Sequence, residues 1–378
     1  MEEIGLYLHF PFCVRKCAYC DFLSFPADEE LKRIYAIAMI REIRGYAKAA
    51  SAYRVGSIYL GGGTPSLMPA RMLKEIMNTV RDHFEVDPEA EISMEVNPGT
   101  VNPSNLGFIA EAVNRVSLGV QSANDEELKM LGRIHTFRDA ERSAGLIRQA
   151  GIANLNLDLM MGIPGQTCAS FRDSLEAVLA LRPEHISAYS LIVEEGTEFR
   201  RLQKEGKLML PDEESEREMY AAAGDILGRA GFNRYEFSNY ARTGYRCRHN
   251  VRYWKRGYYL GFGIGAASYF EGSRWKNTGN IDHYIEDSAD PGRIISEMEQ
   301  LDVKSGIEEF MFLGLRMTEG VTEQDFAAVF SLSLRDVYGE ILDKHVNDGF
   351  LATDGRGRYF LTDRGAEVSN VVLADYLL

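Results

Sequence analysis

Three cysteines, Cys13, Cys17 and Cys20, stand together near the start of the chain, in the stretch HFPFCVRKCAYCDF from His9 to Phe22. The other two, Cys168 and Cys247, lie far along the sequence. An odd number of cysteines with three clustered points to a metal centre rather than a disulfide framework. Arg15 and Lys16 sit between the first two thiols and favour the thiolate, the form that binds metal. Two kinds of centre fit. A structural zinc site needs four ligands in a closed tetrahedron, so His9, Cys168 or His249 would have to complete it. A [4Fe–4S] cluster on three thiolates leaves one iron open to chelate a small molecule through an amine and a carboxylate.

A second set of chemistry-bearing residues recurs along the chain. Gly61-Gly62-Gly63-Thr64-Pro65, Glu95 with Asn97, Gln121, Asp158 and Ser190 each close a short run of β-branched, aromatic and aliphatic residues. Those runs predict strands over 4–10, 57–63, 91–98, 115–122, 154–162 and 185–193, with helical patterns between them. Strands alternating with helices imply parallel pairing through right-handed crossovers. The expected fold is therefore α/β, a barrel or three-quarters of one, with a doubly wound open sheet as the competing architecture. In β/α barrels the loops after the strands build the active face. The glycines, amides and carboxylates fall there, and the three glycines give a ligand close access to backbone.

After about residue 200 the pattern changes. A helical run, DEESEREMYAAAGDILGRAG, leads to RTGYRCRHNVRYWKR from Arg242 to Arg256, which holds five arginines, one lysine and no acid. In a chain of net charge −14 this is a local inversion. The stretch from about 303 reads as helix, helix, short hairpin, helix, a winged-helix-like unit with many acids and no basic recognition face. Overall acidity argues against a nucleic-acid footprint. The start, MEEIG, is not a signal peptide, and YYLGFGIGAASYF from Tyr258 to Phe270 is too short and glycine-rich to span a bilayer. The expected location is the cytoplasm.

C-x3-C-x2-C at the end of a first strand, followed by GGGTP at the end of a second, resembles the radical S-adenosylmethionine (SAM) superfamily. The resemblance implies a partial (β/α)6 barrel and a [4Fe–4S] cluster on Cys13, Cys17 and Cys20 whose open iron binds SAM. Reduction of such a cluster cleaves the SAM sulfonium bond to give a 5′-deoxyadenosyl radical. LYLHFPFC, YLGGGTPS, ISMEVNP, SLGVQS, NLDLMMGIPGQT and the C-terminal unit narrow the likeness to the oxygen-independent coproporphyrinogen III oxidase-like family, over nearly the whole chain. By that resemblance Tyr7, Gly62, Gly63, Thr64, Glu95, Gln121, Arg133 and Asp158 contact SAM, and Tyr19 packs near its adenine. Carboxylates suit ribose hydroxyls or an ammonium, and an arginine suits a carboxylate.

Two departures mark a subset of that family. The decarboxylating oxidases have a fourth cysteine two residues after the third, where this chain has Phe22, and a longer segment before the first cysteine. The motif H-N-x-x-Y-W, complete here from His249 to Trp254, resembles that of the heme chaperones. This implies heme binding by His249, Asn250, Tyr253 and Trp254, with His249 or Cys247 as axial ligand and the neighbouring cations on the propionates.

The implied role is heme delivery to heme-dependent respiratory proteins, the alternative being radical decarboxylation of coproporphyrinogen III. Implied partners are the heme acceptor, a bacterioferritin-type donor, a peripheral contact with the inner face of the membrane, and a second copy of the chain. The expected layout is a barrel core over 1–200, a barrel extension with the heme segment over 201–300, and the winged-helix-like domain over 301–378.

Overall fold

The computed structural model describes residues 1–378. Its first six strands are β1 (Glu2–Phe10), β2 (Tyr53–Gly62), β3 (Glu85–Val96), β4 (Arg115–Gln121), β5 (Asn154–Met161) and β6 (His185–Ser190). They lie side by side in chain order, each parallel to the next. A doubly wound sheet would reverse its order at a switch point. Chain order without reversal is that of a barrel. β6 is shorter than expected, because Leu191 makes one last bond to the Met161 carbonyl and the chain then turns away through Glu194-Glu195-Gly196.

The crossovers are α1 (Glu29–Tyr46), α2 (Ala70–His83), α3 (Pro103–Ala112), α4 (Asp125–Met130) with α5 (Phe137–Gln149), and α6 (Cys168–Ala180). Side-chain oxygens of Asp28, Asn102, Thr136 and Thr167 accept backbone N–H bonds at the starts of α1, α3, α5 and α6. Each such cap satisfies a donor that the first turn leaves open. After β6 come α7 (Glu198–Lys204), α8 (Glu213–Arg229), β7 (Asn233–Arg234), β8 (Asn239–Ala241) and α9 (Arg248–Trp254).

The barrel does not close. The free edge of β6 is taken by antiparallel β8 and then β7. The free edge of β1 is taken by parallel β9 (Tyr259–Phe262), followed by antiparallel β10 (Ala267–Phe270), β11 (Ser273–Asn277) and β12 (Ile295–Gln300). Strands β7 to β12 thus continue the barrel sheet at both ends.

Period-two alternation sorts the strands into two faces. Leu6, Ile58, Met94, Val116, Leu157 and Ile186 are fully buried among Leu73, Ile76, Ile147, Phe171 and Leu175 of the helices. The alternate residues, Tyr7, Tyr59, Glu95, Ser117, Asp158 and Ser187, line the inside. The register pairs Tyr7 with Tyr59, Glu95 with Ser117, and Asp158 with Ser187. A polar interior of this kind has to be satisfied residue by residue.

The C-terminal unit has its own core, including Met311, Leu315, Phe326, Tyr338, Leu342 and Val372. Three longer helices, Val303–Gly314, Glu323–Phe330 and Leu334–Asn347, surround antiparallel β13 (Val321–Thr322), β14 (Leu351–Thr353) and β15 (Arg358–Leu361), and two short ones, Asp363–Glu367 and Ser369–Ala374, follow the sheet. The middle helix and β13 were not expected. They are too short to show a period in the sequence.

Candidate functional site

β1 delivers the chain straight into the cysteine loop. Phe12 and Phe25 pair as an isolated bridge, and Cys13 N–H donates to the Phe25 carbonyl at 3.1 Å, so the loop is pinned at its base. Ala18 N–H reaches the Leu131 carbonyl beyond α4, and the Phe199 N–H of α7 donates to the Ala18 carbonyl. The glycines after β2 make room for this loop. A Cβ on Gly63 would lie 2.7 Å from the Phe10 carbonyl oxygen and 2.8 Å from that of Phe12. Gly62 has φ of +103°, and a Cβ there would fall within 2.4 Å of the His9 ring. Their first service is close packing of the β2 turn against the cysteine loop; both also line the cavity below.

Cys13, Cys17 and Cys20 line one cavity of about 390 Å³ at the carboxyl ends of the strands. Tyr19, Glu95, Gln121, Arg133 and Asp158 line it too. Seven of the nine residues expected to hold SAM therefore share one space with the cysteines: Tyr19, Gly62, Gly63, Glu95, Gln121, Arg133 and Asp158. Two do not. Tyr7 hydrogen-bonds His9 Nδ1 at 3.0 Å and lines a neighbouring cavity of about 460 Å³ with Asp21, Phe22 and Lys276. Thr64 lies behind the cysteines, in hydrogen-bond contact with Cys13 Sγ at 3.5 Å and accepting from Asn97 Nδ2 at 2.7 Å.

No three histidine, cysteine or carboxylate side chains converge on a point that one metal ion could occupy. A mononuclear zinc site needs that convergence, whereas in an iron–sulfur cluster the ligands bind different irons. The three residues that could complete a zinc site lie elsewhere or are already bonded: His9 pairs through its ring nitrogens with Tyr7 OH and the Leu23 carbonyl, Cys168 opens α6, and His249 is buried against β2. Three half-exposed cysteines around one cavity fit the cluster.

The electrostatics fit a cationic ligand with a carboxylate. Glu95 accepts from Tyr59 OH and from Gly62 N–H, both at 3.0 Å. Burial, with Asp158 adding to it, pushes its carboxyl up to about 7. Asp158 accepts from Ser117 Oγ at 3.0 Å and Asn156 Nδ2 at 2.7 Å, and burial raises it too. Burial raises both carboxyls even with Arg115 acting on each, and a bound cation in the cavity would favour their ionised forms. Arg133 donates to Cys17 Sγ and to the Gly119 carbonyl, while its Nε is buried without a partner. An orphaned guanidinium donor suits a ligand carboxylate. Gln121 holds a left-handed φ of 68°, rare for a residue with a Cβ, at the cavity end of β4.

Tyr59 also lines the cavity, although it is not among the residues that the resemblance assigns to SAM. It lies two residues before Gly61, and the alternation along β2 was the available signal.

The H-N-x-x-Y-W segment lies elsewhere. α9 packs inside the barrel at the opposite, floor end of the strands. His249 Nδ1 pairs with Ser57 Oγ at 3.0 Å and Nε2 with Tyr253 OH at 2.8 Å, and its ring stacks on Tyr59. Burial, with Arg252 and Arg115 nearby, pushes its pKa down to about 3. Both ring nitrogens are used, so in this conformation His249 offers a ligand neither. Cys247 is fully buried against Glu91. Trp254 carries the Arg316 guanidinium on its face.

The cations expected for propionates also have partners within the chain. Arg246 and Lys255 pair with Glu319, Arg256 with Glu309, and Arg252 with Glu3. Arg242 and Arg248 donate to backbone carbonyls of Pro183 and Glu89. The basic run fastens the barrel floor to the first strand and to the C-terminal unit, which accounts for the local inversion of charge.

The Radical SAM superfamily model matches residues 7–178, and the HemN C-terminal domain model matches residues 301–368. The chain is 37% identical to the heme chaperone HemW of Lactococcus lactis over 98% of its own length and 97% of that protein. It is 35% identical to the heme chaperone HemW of Bacillus subtilis, covering 98% of both, and 33% identical to that of Escherichia coli, covering 100% and 99%. The chain belongs to the HemW family of the radical SAM superfamily. Among solved structures it is similar to the Escherichia coli coproporphyrinogen III oxidase HemN, a radical SAM enzyme, with TM-score 0.86 and 21% identity over 100% of this chain and 90% of that one. At that identity the likeness is one of fold. No helix is long and apolar enough to cross a membrane.

Proposed function

We propose that this chain is a heme chaperone: it binds heme and delivers it to heme-dependent proteins, carrying a [4Fe–4S] cluster on Cys13, Cys17 and Cys20 and SAM in the same cavity. The supporting observation is the single cavity in which the cysteines, the orphaned Arg133 donor and the paired carboxylates meet, in a chain similar over its whole length to heme chaperones. Arg133 would hold the carboxylate of SAM, and Glu95 and Asp158 its positive charge and ribose. When bound, cluster and SAM together supply one-electron chemistry.

Heme enters this reading at the mouth of that cavity. Phe22 and Ile192 are 58% and 67% exposed, and both line the cavity with Tyr189, Arg15 and Lys16. Apolar side chains suit a macrocycle and the two cations suit its propionates. Heme contact through His249, Asn250, Tyr253 and Trp254 is the other arm of the reading and requires α9 to leave its seat. A respiratory acceptor, a bacterioferritin-type donor, membrane contact and dimerisation come from family resemblance.

The deciding experiment uses anaerobically reconstituted protein with verified iron and sulfide content. Heme titration should show saturable binding, and coproporphyrinogen III with SAM and reductant should give no protoporphyrinogen. Turnover to protoporphyrinogen would favour the oxidase reading over the one proposed. Phe22→Ala and Ile192→Ala should each weaken heme more than His249→Ala does; the reverse ranking would move heme to α9.

A further inference from the structure

Two chains of contacts run from α9 through the barrel interior to the carboxylates of the cavity. The first is short. The His249 ring stacks on Tyr59, centroids 5.2 Å apart and planes 25° apart. Tyr7 stacks on Tyr59 as well, at 6.3 Å, and the Tyr59 hydroxyl donates to Glu95. Tyr59 lines the cavity; His249 does not.

The second chain is longer and has one direction. The Cys247 N–H donates to Tyr235 OH at 3.3 Å, and Tyr235 OH meets His185 Nε2 at 2.9 Å. His185 Nδ1 lies 2.6 Å from Asn156 Oδ1, which can only accept, so Nδ1 carries the proton and Tyr235 donates to Nε2. Asn156 Nδ2 then donates to Asp158 at 2.7 Å. Cys247, Tyr235, His185 and Asn156 are buried, so a break anywhere leaves an unpaired polar group out of reach of water.

α9 is fixed independently of both chains. Buried Glu91 of β3 accepts from the Arg248 and His249 backbone N–H groups at 2.9 and 3.2 Å and holds the helix start against the barrel wall. Arg252 secures its far end to Glu3 of β1.

We propose that the H-N-x-x-Y-W helix is a positioning element for the SAM site: from the barrel floor it sets Glu95 through Tyr59, and Asp158 through Tyr235, His185 and Asn156. The proposal rests on the reading that this cavity binds SAM. It gives the motif a role in holding SAM without contact between the motif and the ligand. Asp158 faces donors only, from Asn156 and Ser117, so it is presented as an acceptor.

The test measures SAM dissociation constants by anaerobic equilibrium dialysis on the reconstituted full chain, with cluster content and thermal midpoint recorded for every variant. Tyr235→Phe removes one hydroxyl from the long chain, and His249→Ala removes the stack. Each is expected to weaken SAM about fivefold or more at unchanged cluster content, the loss of roughly one hydrogen bond. His249→Phe, which keeps an aromatic ring on Tyr59, should recover most of the His249→Ala loss. Combining His249→Ala with Tyr59→Phe decides the mechanism: if His249 acts through Tyr59, the double variant binds SAM about as well as the weaker single one. Fully additive losses would overturn the proposal, as would SAM binding within twofold of wild type in Tyr235→Phe and His249→Ala. A wild-type protein with an intact cluster that binds no SAM would instead overturn the reading beneath it. If His249→Ala does not fold, Tyr235→Phe alone tests the long chain, and SAM binding within twofold of wild type in that variant overturns the proposal.

Discussion

Arg133 donates to Cys17 Sγ across 3.6 Å and, through its other terminal nitrogen, to the Gly119 carbonyl at the end of β4. One side chain therefore joins a cysteine of the cluster loop to the strand that carries Gln121. Hydrogen bonds to cluster sulfur raise the reduction potential, and lysine cannot make two divergent planar contacts. Arg133→Lys should lower the cluster midpoint potential in an EPR-monitored redox titration and weaken SAM about tenfold or more, the scale of one charge-assisted bond. A potential unchanged from wild type would show that the contact to Cys17 does not reach the cluster.

Burial, with Asp158 adding to it, pushes the Glu95 carboxyl up to about 7. A cationic ligand binds the ionised form, so affinity for SAM should rise as pH increases from about 6 through about 7 and then level. Glu95→Gln should flatten that rise. Dialysis at several pH values reads it directly, and a slope that survives the substitution would assign the titration to another group.

Glu42 of α1 is fully buried, yet accepts from Gly263 N–H, Asn277 Nδ2 and Tyr284 OH. Burial pushes its carboxyl up to about 7, above the ordinary 4.5. The folded state therefore binds the proton more tightly than the unfolded chain does. Its contribution to stability is complete below the unfolded value and declines as pH rises through about 7. Denaturant melts between pH 4.5 and 8 should show Glu42→Gln losing this decline, leaving a flatter profile than wild type.

Glu309 accepts from Arg256 at 2.9 Å and from Arg274 at 2.6 Å, tying the C-terminal unit to the sheet extension. Glu309→Gln would strand two guanidinium groups, one of them largely buried. The expected loss is about 3 kcal/mol of stability. A urea midpoint equal to wild type would mean that solvent replaces the carboxylate at little cost.

The barrel was legible because its signal is local: six alternating runs, each with polar residues at its carboxyl end. The cluster was legible for the same reason, with three thiols inside one short loop. Tyr59 and the H-N-x-x-Y-W segment were harder. Their roles depend on which face of β2 meets which residue of a helix nearly two hundred positions later, a separation of 192 for Ser57 and His249. Nothing in the composition of RTGYRCRHNVRYWKR tells a cation that meets a ligand from one that meets Glu319, because the acid lies in another unit. Tyr7 and Thr64 were placed by motif. In the fold Tyr7 faces inward, bonds His9 and stacks on Tyr59, and Thr64 bonds Cys13 from behind the loop.

β1 is completed on one side by β2 and on the other by β9, whose residues lie some two hundred and fifty positions downstream. During synthesis from the N-terminus, the strand that leads into the cysteine loop must wait for more than half of the chain to emerge before its second edge is covered. An edge left open that long invites wrong pairing, and so distant a closure is slow. The order of events on the ribosome is thus built into the sheet. The cysteines emerge well before residues near 260 arrive, so their loop gains its last strand of support only after β9 has paired with β1.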